Sequence, residues 1–410
     1  MKAYQPVRGT RDLFGEDILA HRFVTDAMRQ IASVYGYGEI VTPVFEFTEV
    51  FARGMGEVTD VVSKEMYVFN DRGGDSLALR PEGTAGVARA LVSNGMAQNL
   101  PLKFYYAGPM FRYERPQKGR YRQFTQAGVE LLGVDNPNGD IEVIALADAF
   151  LRKVGIKGLI TLEINSLGDM ESRENYKKAL VAYFEKYEDS LSEDSRRRLR
   201  LNPLRILDSK EECDKKINEN APLMRDYLND ASRSFFDAVL RGLDILGIAY
   251  KVNSKLVRGL DYYRHTVFEF ITDELGAQGT VLAGGRYDDL VHELGGPKVS
   301  GIGFASGVDR LALLLKEKVK TARPVAVVPL NSEFDAAALK LTEELRGRGI
   351  AADLGFTGNV GKRMKRADKI NAKKAVIVGG DEYARGAYTL KDLDDGSQKE
   401  VLFADICKEL

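Results

Sequence analysis

The stretch FRYERPQKGRYRQFTQAGVE, residues 111–130, concentrates side chains able to grip a charged, hydrogen-bonding ligand. Alternate residues of a strand share a face, so Arg112 and Glu114 stand together, as do Phe124, Gln126 and Glu130 on a returning strand. An arginine can hold a phosphate through two parallel N–H bonds, and an aromatic ring can stack on a base. Gln126 and Glu130 can hold an amino group or a ring N–H. The same pattern also suits a solvent-exposed sheet face with arbitrary polar residues.

Three other stretches carry comparable groups. In SLALRPEGTAGVARALV, Glu82 lies in a turn between a strand ending at Leu79 and a helix opening near Gly83 or Thr84. It either receives a ligand ammonium or complements the helix dipole. In SGIGFASGVDRLALLL, Gly301, Gly303 and Gly307 permit close backbone approach, and Arg310 falls in the first helical turn. Acids are favoured there, so an arginine points to an anion nearby. In RGLDYYRHTVFEF, residues 258–270, strand alternation puts Arg258 and Tyr262 on one face and Tyr263 on the other. A bulge between Gly259 and Tyr263 would let both tyrosines line one pocket. The alternative is two core aromatics beside an edge arginine.

Other chemistries lack their residues. The chain has no nucleophile elbow, HExxH motif, zinc-ligand spacing or Walker A sequence. Only three histidines and two distant cysteines, Cys213 and Cys407, occur, so no metal site with fixed protein ligands is expected. The cysteine usage fits a reducing compartment. A net charge of -1 argues against coating nucleic acid by bulk charge but leaves room for a basic patch. The N-terminal MKAYQPVRGTRDLFGED has no apolar core of a signal peptide, and no run is long enough to span a bilayer. A soluble cytoplasmic protein is expected.

These groups need elements to hold them. At 410 residues, 44% hydrophobic and 29% charged, the chain is long enough for roughly two or three globular domains. Apolar residues recur at helical spacing over 17–36, where Gly36 and Gly38 stop the helix. GEIVTPVFEF reads as a strand with Pro43 at an edge or exit. KFYYAGPMFRYE and RQFTQAGVELLG flank the loop RPQKGR as a long hairpin, and 139–154 as a helix. Residues 169–245 read as a mostly helical insertion containing the basic run Ser195–Arg200, which faces either solvent or RNA. Strand signals return over 247–314. After the polar linker 317–324, a βαβαβ pattern predicts a small parallel α/β domain, with the boundary near 322. Its stretch GKRMKRADKINAKK has seven Lys and Arg against one Asp, again a solvated face or an RNA contact.

Together these blocks resemble the three signature motifs of class II aminoacyl-tRNA synthetases. GYGEIVTPVFE resembles motif 1, FRYERPQKGRYRQF motif 2 and GIGFASGVDRL motif 3. RGTRD, LRPEGTAG, LVRGLDYYRHTVFEF and AGGRYDDLV are similar to blocks that distinguish the histidyl-tRNA synthetase family. LEINSLGD and NPLRILDSK resemble its helical-insertion region. The resemblance implies an α+β catalytic domain with an antiparallel sheet over 1–322, including the helical insertion 169–245. It also implies an anticodon-binding-like α/β domain over 323–410.

It further implies ATP-dependent activation of L-histidine and transfer to tRNA(His), with Mg²⁺ accompanying ATP and a homodimer built around Pro43. Glu82, Thr84 and Gln126, with Gly83 beside them, would hold the α-ammonium. Glu130 and Tyr263 would bind the imidazole, Tyr262 would line the same pocket, and Tyr287 would sit at its edge. Arg112 and Arg258 would flank the carboxylate and α-phosphate as the catalytic pair. Arg112, Glu114, Arg120, Phe124 and Arg310 would hold ATP, with Phe124 and Arg310 around the adenine. Arg115 and Gln117 would approach the tRNA acceptor end. Two departures stand out: Thr125 where the family often has histidine, and Asp309 where glutamate is common. The competing readings are a non-catalytic regulatory subunit of ATP phosphoribosyltransferase and a class II synthetase for proline, glycine or threonine.

Overall fold

The computed structural model describes residues 4–56, 59, 61–276 and 279–410, so the first three residues of the N-terminal stretch lie outside it. The chain forms two compact units, Met1–Val319 and Lys320–Leu410.

The first unit is organised by an eight-stranded sheet and a three-stranded one. In chain order the strands are β1 (Gly38–Glu39), β2 (Phe45–Phe47), β3 (Tyr67–Asn70), β4 (Ser76–Leu79), β5 (Leu102–Phe111) and β6 (Gln123–Leu132). Then come β7 (Thr161–Ser166), β8 (Lys251–Val252), β9 (Arg264–Ile271), β10 (Thr280–Arg286) and β11 (Gly301–Gly307). The large sheet runs β1-β5-β6-β11-β10-β9-β7-β8, antiparallel throughout its middle, with parallel pairings only at its two edges.

Alternation gives this sheet two different faces. Ala127, Val129 and Leu131 of β6, with Ile302 and Phe304 of β11, join a core covered by the helices Gly15–Val34, Pro137–Val154 and Asp230–Ile245. Phe268 and Phe270 are fully buried there, each worth about 1.5–3 kcal/mol of apolar burial. The opposite face carries Phe124, Gln126, Gly128 and Glu130, and it is the face on which the site is built.

The strand expected over GEIVTPVFEF is two short strands in two sheets. β1 pairs with β5, and β2 pairs with β4. Pro43 lacks the N–H a ladder needs. The buried Arg80 guanidinium takes up the freed backbone, donating to the Thr42 carbonyl at 2.8 Å and the Pro109 carbonyl at 2.8 Å.

The insertion has its own small core of Tyr176, Leu180, Phe184, Leu199, Ile206 and Met224. Asp214 ties its loops together by accepting from the hydroxyls of Ser192, Ser195 and Ser209 at 2.6, 2.6 and 2.5 Å. The last helix of the expected insertion, Asp230–Ile245, sends Val239 and Leu243 into the main core instead. The basic run lies on the helix Glu193–Leu201, with Ser195 and Leu199 buried and Arg196, Arg197 and Arg200 exposed.

The second unit departs from the expected all-parallel sheet. Its strands are β12 (Val325–Pro329), β13 (Ala352–Leu354), β14 (Lys374–Val378), β15 (Ala387–Asp392) and β16 (Gln398–Leu402), ordered β13-β12-β14-β15-β16. β15 and β16 add antiparallel to the parallel trio. Three of its seven clustered cations are committed internally: Arg363 donates to the Pro329 carbonyl at 2.6 Å, Arg366 pairs with Asp353 at 2.8 Å, and Lys374 donates to the Glu409 carbonyl.

Candidate active site

Glu130 is the centre of the buried half of the site. It is fully buried on β6 and accepts the Thr84 hydroxyl at 2.7 Å through Oε1 and the Tyr287 hydroxyl through Oε2. Burial pushes its carboxyl up to about 8, against the pull of those two hydroxyl donors. The space is made by glycines. A Cβ at Gly303 would collide with the Glu130 carboxylate, and one at Gly301 with the Tyr287 ring. Gly128 faces Tyr106 across the hairpin register, and a Cβ there would strike the tyrosine hydroxyl. The glycines on this face therefore leave room for rings and carboxylates, not for a dinucleotide.

Glu82 performs the helix-capping role that its position allows. Its carboxylate oxygens accept the Thr84 and Ala85 backbone N–H groups, each at 2.7 Å, at the start of the helix Thr84–Ser93. Burial raises its pKa even so. Two lone-pair directions of that carboxylate stay unused by these bonds. Gln126 Oε1 accepts the Gly83 N–H at 3.2 Å, which joins the hairpin floor to the capping turn.

Arg258, Tyr262 and Tyr263 are not strand residues. β9 begins only at Arg264, so the alternation that separates the tyrosines does not apply to the loop before it. The irregularity expected between Gly259 and Tyr263 falls later. His265 has a φ of 44°, and the β9–β10 register slips where Arg286 pairs with Arg264 while Gly285 pairs with Val267. Tyr262 and Tyr263 are both buried, with ring centroids 4.6 Å apart, and Tyr287 lies 5.7 Å from Tyr262. Tyr287 is thus fully enclosed and not at a pocket edge. Arg258 stands 5.7 Å from the Tyr263 ring centroid and pairs with Glu269. Burial would lower its pKa, but Glu269 and the nearby tyrosines hold it above the ordinary arginine value.

The helical insertion holds this loop. Arg173 Nη1 donates to the carbonyls of Asp261 and Tyr263 at 3.0 and 3.3 Å. Asn202 Nδ2 donates to Asp261 Oδ1 at 2.6 Å, and Arg205 Nη1 to the Arg258 carbonyl at 3.2 Å.

Next to the buried half lies an open cleft. Arg112, Glu114, Arg120, Phe124 and Arg310 all line it, together with Gln126. Arg112 and Glu114 sit just beyond the end of β5. Arg112 is held by its Nε bond to the Pro81 carbonyl at 2.9 Å, with its guanidinium 5.5 Å from the Phe124 ring centroid. Glu114 bonds Arg120 at 2.9 Å. Arg310 Nε donates to the Thr280 carbonyl at 3.0 Å; burial, then Arg120, lowers its pKa. Arg115 and Gln117 are exposed on the hairpin loop.

Asp309 is more than a shorter glutamate. Its Oδ2 accepts the Thr125 backbone N–H at 2.9 Å, and its Oδ1 lies 3.0 Å from Arg11 and 3.4 Å from His21. Burial opposes its ionisation, but these donors hold its pKa below the usual carboxylate range. Thr125 contributes its backbone here, as expected of a residue facing away from the floor.

Two residues of the site carried no flag in the sequence. The Tyr106 hydroxyl is buried beside Glu130 and Thr84, and the ring adjoins Gly83 and Gly128. Its signal was a tyrosine directly opposite Gly128 in a hairpin. Glu269, within the apparent scaffold TVFEF, orients Arg258. Among the described residues no group of three His, Cys, Asp or Glu side chains could hold a metal ion.

Comparison with known proteins agrees over nearly the whole chain. Residues 9–311 match the model of the histidyl-tRNA synthetase family, and residues 324–410 that of an anticodon binding domain. The histidine–tRNA ligase of Rhodospirillum rubrum is 54% identical over 402 residues, covering 98% of this chain and 97% of the relative. That of Gluconacetobacter diazotrophicus is 53% identical over 401 residues, covering 98% and 97%. The crystal structure of apo S. aureus histidyl-tRNA synthetase superposes with a TM-score of 0.83 at 36% identity, covering 99% of both chains.

Proposed function

The chain belongs to the histidyl-tRNA synthetase family, and we propose that its buried pocket takes L-histidine and its open cleft takes ATP. It activates histidine with ATP to histidyl-adenylate and pyrophosphate, then transfers the histidine to the 3′ end of tRNA(His). The regulatory-subunit alternative is not favoured, because the ligases it resembles match it end to end, the C-terminal unit included.

Glu130 is the observation that carries the substrate choice. A carboxyl enclosed between Thr84 and Tyr287, beside a second carboxyl and a buried tyrosine hydroxyl, suits a small ring bearing N–H groups. Tyr263 closes the ring side. Glu82, Gly83, Thr84 and Gln126 form a polar corner for the α-ammonium. A wrong amino acid would leave these buried groups unpaired, which discriminates by up to about 10⁴-fold or more in sites built on hydrogen bonds.

The first step needs no general base, because the attacking carboxylate of histidine is already ionised. The protein's task is to place it in line with the α-phosphate and to offset the charge of the transition state. Arg112 reaches that point from the ATP cleft and Arg258 from the histidine loop. Phe124 and Arg310 hold the adenine between them, with Glu114 at its side, and Arg120 meets the outer phosphates. Mg²⁺ would arrive with ATP, on its phosphates. When bound, it supplies further neutralisation of the leaving pyrophosphate. Arg115 and Gln117 receive the acceptor end of tRNA.

Two assignments follow from surfaces. In the three-stranded sheet β2-β4-β3, Phe47 pairs with Leu77 and Leu77 with Phe69, so these side chains share a face with Phe45. Phe45, Phe47 and Phe69 are 55%, 54% and 44% exposed, and Val41 beside Pro43 is 80% exposed. An apolar face of this kind marks an interface, and we assign it to a second copy of the chain. No helix of the described residues is long and apolar enough to cross a membrane, and we propose that the enzyme works in the cytoplasm. Charging of a tRNA(His) transcript with labelled histidine tests the function; absence of charging with an otherwise folded protein would contradict it.

A further inference from the structure

Residues 4–14, which form no helix or strand, lie against residues of the hairpin and of the cleft wall. The Gly9 carbonyl accepts the Arg122 N–H at 2.7 Å, and Arg122 in turn accepts the Arg112 N–H at 2.9 Å. Gly9 has a φ of +88°, and a Cβ there would sit 2.7 Å from the Arg122 side chain. The segment is therefore pressed against the base of the hairpin that carries Arg112 and Phe124.

Arg11 then makes two contacts with the cleft wall. Its Nη2 donates to Asp309 Oδ1 at 3.0 Å, and its guanidinium lies 4.3 Å from the Tyr121 ring centroid. Both partners line the cleft, whereas Arg11 does not. Asp309 is the knot between the cleft's two sides. It neighbours Arg310 on the helix Val308–Ala312, and its other oxygen binds the N–H of Thr125, the residue after Phe124. The Asp309 side chain is only 5% exposed. Without Arg11, the carboxylate keeps the Thr125 N–H and the His21 imidazole at 3.4 Å, and loses its permanent cation. A buried carboxylate deprived of its cation moves or takes up a proton. Movement would strain the bond to Thr125 and protonation would weaken it, and either would change the spacing of Phe124 and Arg310.

We propose that Arg11 is a positioning residue for ATP: through Asp309 and Tyr121 it sets the separation of Phe124 and Arg310, the two walls of the adenine site. This rests on the assignment of that cleft to ATP.

The test is ATP–pyrophosphate exchange with Arg11→Ala and Arg11→Lys in the full chain, varying ATP and histidine separately. R11A should raise KM for ATP about tenfold and leave KM for histidine within about twofold, because only one side of the site is disturbed. R11K should recover part of the ATP affinity, since it keeps the charge but not the planar stacking on Tyr121. An equal rise in both constants, or a lower melting temperature with both constants unchanged, would mean a merely structural role and overturn the proposal. Should R11A not fold, R11K carries the same criterion. Failure of the unsubstituted protein to exchange with histidine would instead count against the function itself.

Discussion

Arg258 and Arg310, 52 residues apart in numbering, are joined by a two-residue relay through the sheet. Arg258 pairs with Glu269, whose Oε2 accepts the Thr280 hydroxyl at 2.7 Å; the Thr280 carbonyl accepts Arg310 Nε at 3.0 Å. The arginine assigned to the carboxylate and the one assigned to adenine thus share one tether. Glu269→Gln keeps the shape and removes the charge that orients Arg258. Single-turnover adenylation should fall roughly 10- to 100-fold, the scale of a small misplacement at a reacting centre. An unchanged rate in rapid-quench experiments would show that Arg258 needs no such orientation.

Glu130 makes stability depend on pH in a defined direction. Its folded pKa is about 8 against an ordinary 4.5. Between those values the folded protein keeps a proton that the unfolded chain releases, so this group's contribution is full below the ordinary value and is lost as pH rises toward 8. Glu130→Gln removes that contribution. Its melting temperature should decline less than that of the parent between pH 5 and 8, a window of about three pH units. The same variant should raise KM for histidine by about tenfold or more, since the proposed buried partner of the ring is changed.

Arg173 belongs to the insertion but should behave as part of the proposed histidine site. Arg173→Ala deletes bonds to the Asp261 and Tyr263 carbonyls. At about 1 kcal/mol per bond, KM for histidine should rise roughly 5- to 30-fold. KM for ATP should stay nearly constant. Parallel changes in both would indicate general loosening.

The exposed phenylalanines of β2 and β3 predict association. Sedimentation of the parent should give a dimer, and Phe47→Glu, which places a charge in the middle of that face, a monomer. A parent that sediments as a monomer at micromolar concentration would remove the assignment.

Some of this was legible in the residues because it depends on local periodicity. The alternation of Phe124, Gln126 and Glu130 on one strand, the helix opening at Thr84 and the placement of Arg310 after Gly307 all follow from spacing alone. The loop over 258–263 did not, because its conformation is imposed by Arg173, Asn202 and Arg205, distant in sequence, and strand alternation has no purchase on it. Glu269 looked like scaffold because its partner lies in that loop. β15 and β16 were missed because AYTLKDLDDGSQKEVL shows little apolar alternation; the exposed edge strand β16 buries only Val401.

The most direct measurement is ATP–pyrophosphate exchange with single amino acids. Exchange is expected with histidine and not with proline, glycine or threonine. Exchange with none of them, or with one of the other three in place of histidine, would contradict the assignment of the Glu130 pocket.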